Sequence, residues 1–269
     1  MPTLTPEQAQ RAAERLDEAE RTRRQMAPLT FDYPDMDLVD AHAVQDAWIH
    51  MKVTRGANIR GRKVGLTSKA MQRAMNIGEP DYGTLLDDMF FGDGAEIEAA
   101  GFLDPRVEVE IAFVLGRPLA GENVTVDEVL AATEAVYPSL ELIAARSYRV
   151  DPETGRTRTV IDTIADNAAS AGVVLGARGF EPGEVDLPWS GAILYRNGEV
   201  EETGLAAGIM GHPANGVVWL ARRFAAHGIA LQEGDVILSG SFTQPVAARA
   251  DDEFLADFGP LGRIGCRFI

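Results

Sequence analysis

The sequence predicts an α+β fold, a helical N-terminal region of about 60 residues followed by a body made mostly of sheet. Two observations carry this. Apolar residues recur at helical spacing up to Met51, and beyond Arg60 the texture changes to short β-branched runs separated by Gly, Pro and Asp. With 269 residues, 46% apolar and 25% charged, the chain can bury a large core without disulfide or metal staples. The change in texture suggests a division into residues 1–60 and 61–269.

Thr5, Pro6 and Glu7 open a first helix in which Ala9, Ala12, Ala13, Leu16 and Ala19 fall on one face. A second helix is expected after Asp40, with Ala43, Val44, Ala47, Trp48 and Met51 on its apolar side and Gly56 as its stop. The runs RKVGLT, RVEVEIAFVLG, ASAGVVLG, GAILYRNGEVEETG, DVILSGSF and GRIGCRFI read as strands. Asn197-Gly198 between alternating segments predicts a type I′ hairpin joining a strand near Ile193 to one near Val200. Helices are expected at 126–137 and 214–227, the latter stopped by Gly228. No fixed-period repeat or low-complexity tract occurs.

Lys and Arg total 25 against 41 Asp and Glu, a formal charge of -16, which repels a nucleic-acid backbone at long range. The same field repels an anionic substrate, so a site for one needs local cations or a metal. Cys266 is the only cysteine, which rules out an intrachain disulfide and points to the cytoplasm. The N-terminus lacks a basic segment followed by an apolar run, and no long apolar stretch occurs, so neither export nor membrane insertion is expected.

Within RVEVEIAFVLG, strand alternation sends Glu108 and Glu110 to one face and Val107, Val109 and Ile111 to the other. Two like charges about 7 Å apart on an apolar strand are unfavourable unless a cation sits between them. Hard oxygen donors without Cys or clustered His select magnesium or manganese. Glu141, between Leu140 and Leu142, is the natural third ligand, and three carboxylates leave coordination positions open for water or a chelating substrate. Spacing alone leaves a second arrangement open, in which Glu108 and Glu110 face solvent from a half-exposed strand.

Several segments together resemble the 2-oxo-acid hydratase and decarboxylase branch of the fumarylacetoacetate hydrolase superfamily. They are KVGLTSKAMQ at 63–72, EPDYGTLLDDMFF at 79–91, RVEVEIAFVLGRPL at 106–119 and SLELIAAR at 139–146, then DTIADNAASAGVVLG at 162–176, YRNGEVEETGLAAGIMGHPANGVVWLA at 195–221 and GSFTQPVAAR at 240–249. The resemblance implies a mixed, strongly curved β-sheet roll behind the helical region, a homo-oligomer, and Mg2+ or Mn2+ held by Glu108, Glu110 and Glu141. It places the family's active-site lysine on Lys63 and its loop acid on Asp81. From the residues alone, these two read as a surface lysine beside a strand end and a turn aspartate.

The chemistry expected of such a site starts from its substrate. An unsaturated 2-oxo acid presents a carboxylate oxygen and its C2 carbonyl oxygen as a chelate, so a metal neutralises charge and polarises the ketone together. The dienol form is protonated at its far carbon and water then adds at C4, giving a 4-hydroxy-2-oxo acid, in the catabolism of aromatic compounds. Proton transfer needs groups tuned toward neutrality, the part given to Lys63 and Asp81. The resemblance favours a seven-carbon dioate as substrate, and its distal carboxylate would need a cation, for which Arg106, Arg146 and Arg62 are candidates. Thr67, Ser68 and Ser241 are candidate donors to the C1 carboxylate, with Thr67 alternatively a helix cap. No His has ligand spacing, and Cys266 reads as a buried hydrophobe. Alternatives are decarboxylation of 2-oxo-3-hexenedioate, hydration of 2-oxopent-4-enoate, hydrolysis of a carbon-carbon bond, and an ion-binding structural subunit without activity.

Overall fold

A computed structural model of the chain describes residues 2–74 and 77–269. The N-terminal region holds α1 (Pro6–Thr22), α2 (Leu29–Asp32) and α3 (Leu38–Thr54). Thr5 and Gln8 close a capping box on α1, whose first turn carries Pro6. The α3 helix begins earlier than its apolar pattern suggested, because Asp37 accepts from Val39 N and Asp40 N while Asp40 reaches back to the cap. The apolar faces of these helices form their own core with Leu16, Val44 and Trp48 at its centre.

The body continues with β1 (Ile59–Gly65), α4 (Lys69–Ala74), β2 (Asp81–Leu86), β3 (Phe90–Gly92), β4 (Ala95–Ile97), β5 (Arg106–Leu115), α5 (Val126–Ala132), β6 (Thr133–Ile143), α6 (Val160–Ala165) and β7 (Ser170–Leu175). It ends with β8 (Gly191–Arg196), β9 (Glu199–Leu205), α7 (Ala214–Ala225), β10 (Val236–Leu238), β11 (Val246–Ala247), β12 (Glu253–Asp257) and β13 (Arg263–Phe268). One mixed sheet runs β2-β1-β10-β5-β6-β7-β3, with β11 also on β5, and a second runs β4-β13-β12-β8-β9. This is the α+β architecture the sequence predicts.

Strand alternation decides what each face of β5 and β6 meets. Val107, Val109, Leu140 and Leu142 pack against Phe254, Ile264, Cys266 and Phe268 of the second sheet, and Ile111 and Phe113 join the core under α5 and α7. The opposite face is left for Glu108, Glu110 and Glu141. The Asn197-Gly198 hairpin forms as expected, both residues having positive φ. One expectation fails: α5 stops at Ala132, and residues 133–137 belong to β6. That segment carries Thr133, Val136 and Tyr137 before Pro138 and continues the β6 pairing to the C-terminal end of β5, from Ala112 to Leu115, which outweighs its local helical pattern. Among the described residues, no helix is long and apolar enough to cross a membrane.

Candidate active site

The inner faces of β1, β5 and β6 open on a cavity of about 270 Å³. Glu108 and Glu141 are directly opposed across the β5–β6 pair, with Glu110 opposite Ser139. Like charges in opposed positions repel, and Glu110 and Glu141 are each 1% exposed, so solvent screens little of that repulsion. The arrangement with both acids facing solvent is therefore not the one adopted.

Lys63 on β1 supplies the counter-charge. Its Nζ lies 3.2 Å from Glu141 Oε1 and donates to Oε2 at 3.3 Å. Asp81 opens β2 in register with Gly65, where a Cβ would collide with Asp81 Oδ1, so the glycine makes room for the carboxylate. Gly240 does the same for Glu110: its N–H donates to Glu110 Oε2 at 2.8 Å from a backbone with φ +127. A Cβ there would collide with Thr67 Oγ1. Both contacts need a residue without a side chain.

Burial, reinforced by Glu141, raises the Glu108 pKa to about 7 and that of Glu110 well above its ordinary value, with Lys63 opposing both. Burial likewise raises Asp81, against the pull of Lys63. For Lys63 itself, burial favours the neutral amine but Glu141, Asp81, Glu108 and Glu110 outweigh it, and the pKa is raised. Asp81 thus moves toward neutrality as expected, whereas Lys63 does not: it is a fixed cation, because four acids surround it.

Among the described residues, no group of three or more His, Cys, Asp or Glu side chains stands ready as an ion cage. Glu141 turns to Lys63 instead. The donor chemistry nevertheless fits a hard divalent cation. Among the described residues Asp81 Oδ1 is buried without a hydrogen-bond partner, Glu141 Oε1 has only the Lys63 ammonium 3.2 Å away, and Glu110 receives a single N–H. Buried carboxylate oxygens left short of donors call for a cation.

Thr67, Ser68 and Ser241 also line the cavity. Ser68, not Thr67, caps α4, its Oγ accepting from Met71 N at 3.1 Å. Ser241 Oγ donates to Thr243 O and accepts from Thr243 N within its own turn. The arginine expectations need correction. Arg146 is 2% exposed and outside the cavity: Nε donates to Asp166 Oδ1 at 2.5 Å, Nη2 to Asp166 O, and the guanidinium stacks on Trp48. Arg106 shares the parity of the glutamates but sits at the strand end, 4.0 Å from Asp104, and does not reach the cavity wall. Arg62 points to the opposite face of β1 and lies over Phe224.

The arginines that do line the cavity are Arg149 and Arg158. They flank a hairpin closed by a Val150–Thr157 bridge, with Arg158 N donating to Arg149 O at 3.0 Å. The stretch has no apolar periodicity, but Asp151-Pro152 and Gly155 are turn signals that foretell a hairpin placing the two side by side. Among the described residues no His lines this cavity; His212 Nδ1 accepts from Ala214 N at the start of α7. Cys266 is buried between the sheets, which pushes its thiol up to about 12. A second cavity, of about 310 Å³, lies behind Arg146, where Lys52 pairs with Glu20 and Arg146 with Asp166.

Comparison with known proteins adds an independent line. The fumarylacetoacetate (FAA) hydrolase C-terminal family matches residues 52–269. The chain is 54% identical over 257 residues to the 2-oxo-hept-4-ene-1,7-dioate hydratase of Escherichia coli, covering 96% of each protein. It is 39% identical to a 2-keto-4-pentenoate hydratase of Paraburkholderia xenovorans, covering 98% of this chain and 96% of that one. The solved structure of 4-oxalocrotonate decarboxylase from Pseudomonas putida G7, complexed with magnesium and adipate, superposes with a TM-score of 0.94 at 34% identity over the full length of both chains.

Proposed function

The chain belongs to the fumarylacetoacetate hydrolase family, and from that premise we propose that it is a hydratase that adds water to 2-oxo-hept-4-ene-1,7-dioate with the help of a divalent cation. The product is 4-hydroxy-2-oxoheptanedioate. The observation that supports this best is the convergence of Glu108, Glu110, Glu141, Lys63 and Asp81 in one cavity, in a chain 54% identical to a hydratase for that substrate. In this reading residues 61–269 are the catalytic body, residues 1–60 its helical cap, and the enzyme is a cytoplasmic homo-oligomer in the catabolism of aromatic compounds.

Glu108, Glu110 and Glu141 would hold magnesium or manganese, which supplies neutralisation of the C1 carboxylate and polarisation of the C2 carbonyl. Lys63 stays protonated among its acids and stabilises the negative charge that the substrate's C2 oxygen carries when the dienol gives up its O–H proton, and again when water adds at C4 of the conjugated enone. Asp81, raised toward neutrality by burial, is the group able to hold and release a proton in the same cavity, and serves the proton transfers that accompany water addition. Met71, Ile143 and Pro245 give the walls an apolar character that limits bulk water around these groups. Hydrolysis of a carbon-carbon bond through a His base has no support, because among the described residues no His lines the cavity.

Decarboxylation is the second reading, favoured by the close superposition on 4-oxalocrotonate decarboxylase. One experiment separates the two. Purified protein loaded with magnesium or manganese is given the seven-carbon dienol dioate, 2-hydroxypenta-2,4-dienoate and 2-oxo-3-hexenedioate in parallel, with product identification and carbon dioxide measured. A 4-hydroxy-2-oxo dioate that disappears with chelator is expected. Carbon dioxide without hydration would establish the decarboxylase, and no turnover of any of the three would refute the proposed chemistry.

A further inference from the structure

Building on the hydratase reading, we propose that Arg149 and Arg158 form the receptor for the substrate's distal carboxylate and make the site selective for dicarboxylates over monocarboxylates of the same 2-oxo class. The first support is position. The two residues are neighbours across the 149–158 hairpin and line the same cavity as the three glutamates, so its charged groups comprise an acidic cluster around Lys63 and a guanidinium pair. Met71, Ile143 and Pro245 on the walls suit the methylenes between two carboxylates.

The second support is a local excess of positive charge. Arg106, Arg146, Arg149 and Arg158 share Asp104 and Asp166 as their close acidic partners in this region. Glu20 comes within 4.0 Å of Arg146 but is itself held by Lys52. Arg158, its side chain 7% exposed, makes one contact among the described residues, Nη1 to Asp166 Oδ2 at 3.5 Å, while Arg146 takes the shorter bonds to that acid. Arg149 gives its Nε to Asp104 Oδ2 at 2.5 Å. Burial lowers the Arg158 pKa to about 10, which leaves it protonated at neutral pH. A buried guanidinium with donors to spare calls for an anion, and a carboxylate matches its forked geometry.

The third support is the charge of the whole chain. At a formal -16 the protein repels a dianion, and a cationic cavity wall is the local reversal that such a substrate requires. A monocarboxylate lacks the second carboxylate that the arginines would receive.

The test compares Arg149→Met, Arg158→Met and Arg158→Lys with the wild type. One readout is the ratio of kcat/KM for the dioate to that for 2-hydroxypenta-2,4-dienoate. The other is calorimetric binding of adipate and of hexanoate to the magnesium-loaded protein, which needs no turnover. The methionine variants are expected to lower the dioate-to-monoacid ratio on the order of 100-fold and to abolish the preference for adipate, the scale for removing one partner of a desolvated charge pair. Arg158→Lys should recover part of both. Should Arg158→Met fail to fold, Arg149→Met, at a more exposed position, carries the comparison. An adipate preference that persists in the methionine variants, or is absent from the wild type, overturns the receptor. If the wild type turns over neither substrate, the hydratase reading fails by itself and adipate binding alone decides for or against the receptor.

Discussion

Glu110 occupies a position unfavourable for a charge: 1% exposed, on the same strand face as Glu108, and helped among the described residues by Lys63 and the Gly240 N–H. Such a residue is retained for what it binds rather than for stability. Glu110→Gln, which keeps an acceptor for Gly240 and removes the charge, is expected to weaken magnesium or manganese binding at least 10-fold in calorimetry. The same change should raise the melting temperature in chelator by a few degrees, most clearly above neutral pH where the native carboxyl would otherwise ionise. A variant that binds the ion normally, or melts lower in chelator at every pH, would remove Glu110 from the ligand set. At this scale the sequence was legible where alternation governs: period two along β5 put Glu108 and Glu110 on one face, and the structure keeps them there. The arginines were less legible because parity says which face a side chain leaves from but not where a long side chain ends. Arg106 goes to Asp104 and Arg146 to Asp166, while Arg149 and Arg158 arrive through a hairpin whose register no apolar pattern announces.

Among the elements, the turn between α6 and β7 carries unusual strain. Asn167, Ala168 and Ala169 have φ of 53, 50 and 62, three successive non-glycine residues in the left-handed region. Ala168 and Ala169 line the cavity, so the strain is spent on a wall of the site. What holds it is Asn167: its Oδ1 accepts from Thr84 N at 2.7 Å and Gln45 Nε2 at 3.2 Å, and its Nδ2 donates to Thr84 O at 2.9 Å, tying the turn to β2. Asn167→Ala would leave both backbone groups of Thr84 short of their buried partner and release the turn, a loss of about 2–4 kcal/mol. Urea denaturation should show that loss, and kcat/KM should fall with it. Unchanged stability would mean the turn holds itself. No local pattern in the sequence announces this tie, because its partner lies on a strand 83 residues away. The boundary at Ala132 was missed for a related reason, since pairing with β5 reaches beyond any local window.

For the whole molecule, the buried acids make stability depend on pH in a direction opposite to ordinary acid denaturation. Glu108 has its pKa raised from 4.5 to about 7 by burial and Glu141, and Glu110, Asp81 and Asp166 are raised as well, burial first in each. The folded state therefore binds protons more tightly than the unfolded chain. Stability contributed this way is present below the unfolded pKa and falls as pH rises toward the folded one, here from about 4.5 to about 7 for Glu108. The raised pKa of Lys63 does not oppose this, because its contribution is lost only above its unfolded value of 10.5. The lowered pKa of His212 does oppose it, as a single group near 6.5. The loss belongs to the interacting acids as a cluster, and for a chain of this size it corresponds to a fall of several degrees in melting temperature across the window. Melting temperatures in chelator should accordingly fall between about pH 5 and pH 7.5. Saturating magnesium should shrink or reverse the fall, since an ion binds the ionised acids of the folded state and not the unfolded chain. A melting temperature in chelator that is flat or rises with pH would show that these acids do not share one buried cluster. A normal fall that magnesium leaves untouched would instead keep the cluster and remove the ion from it.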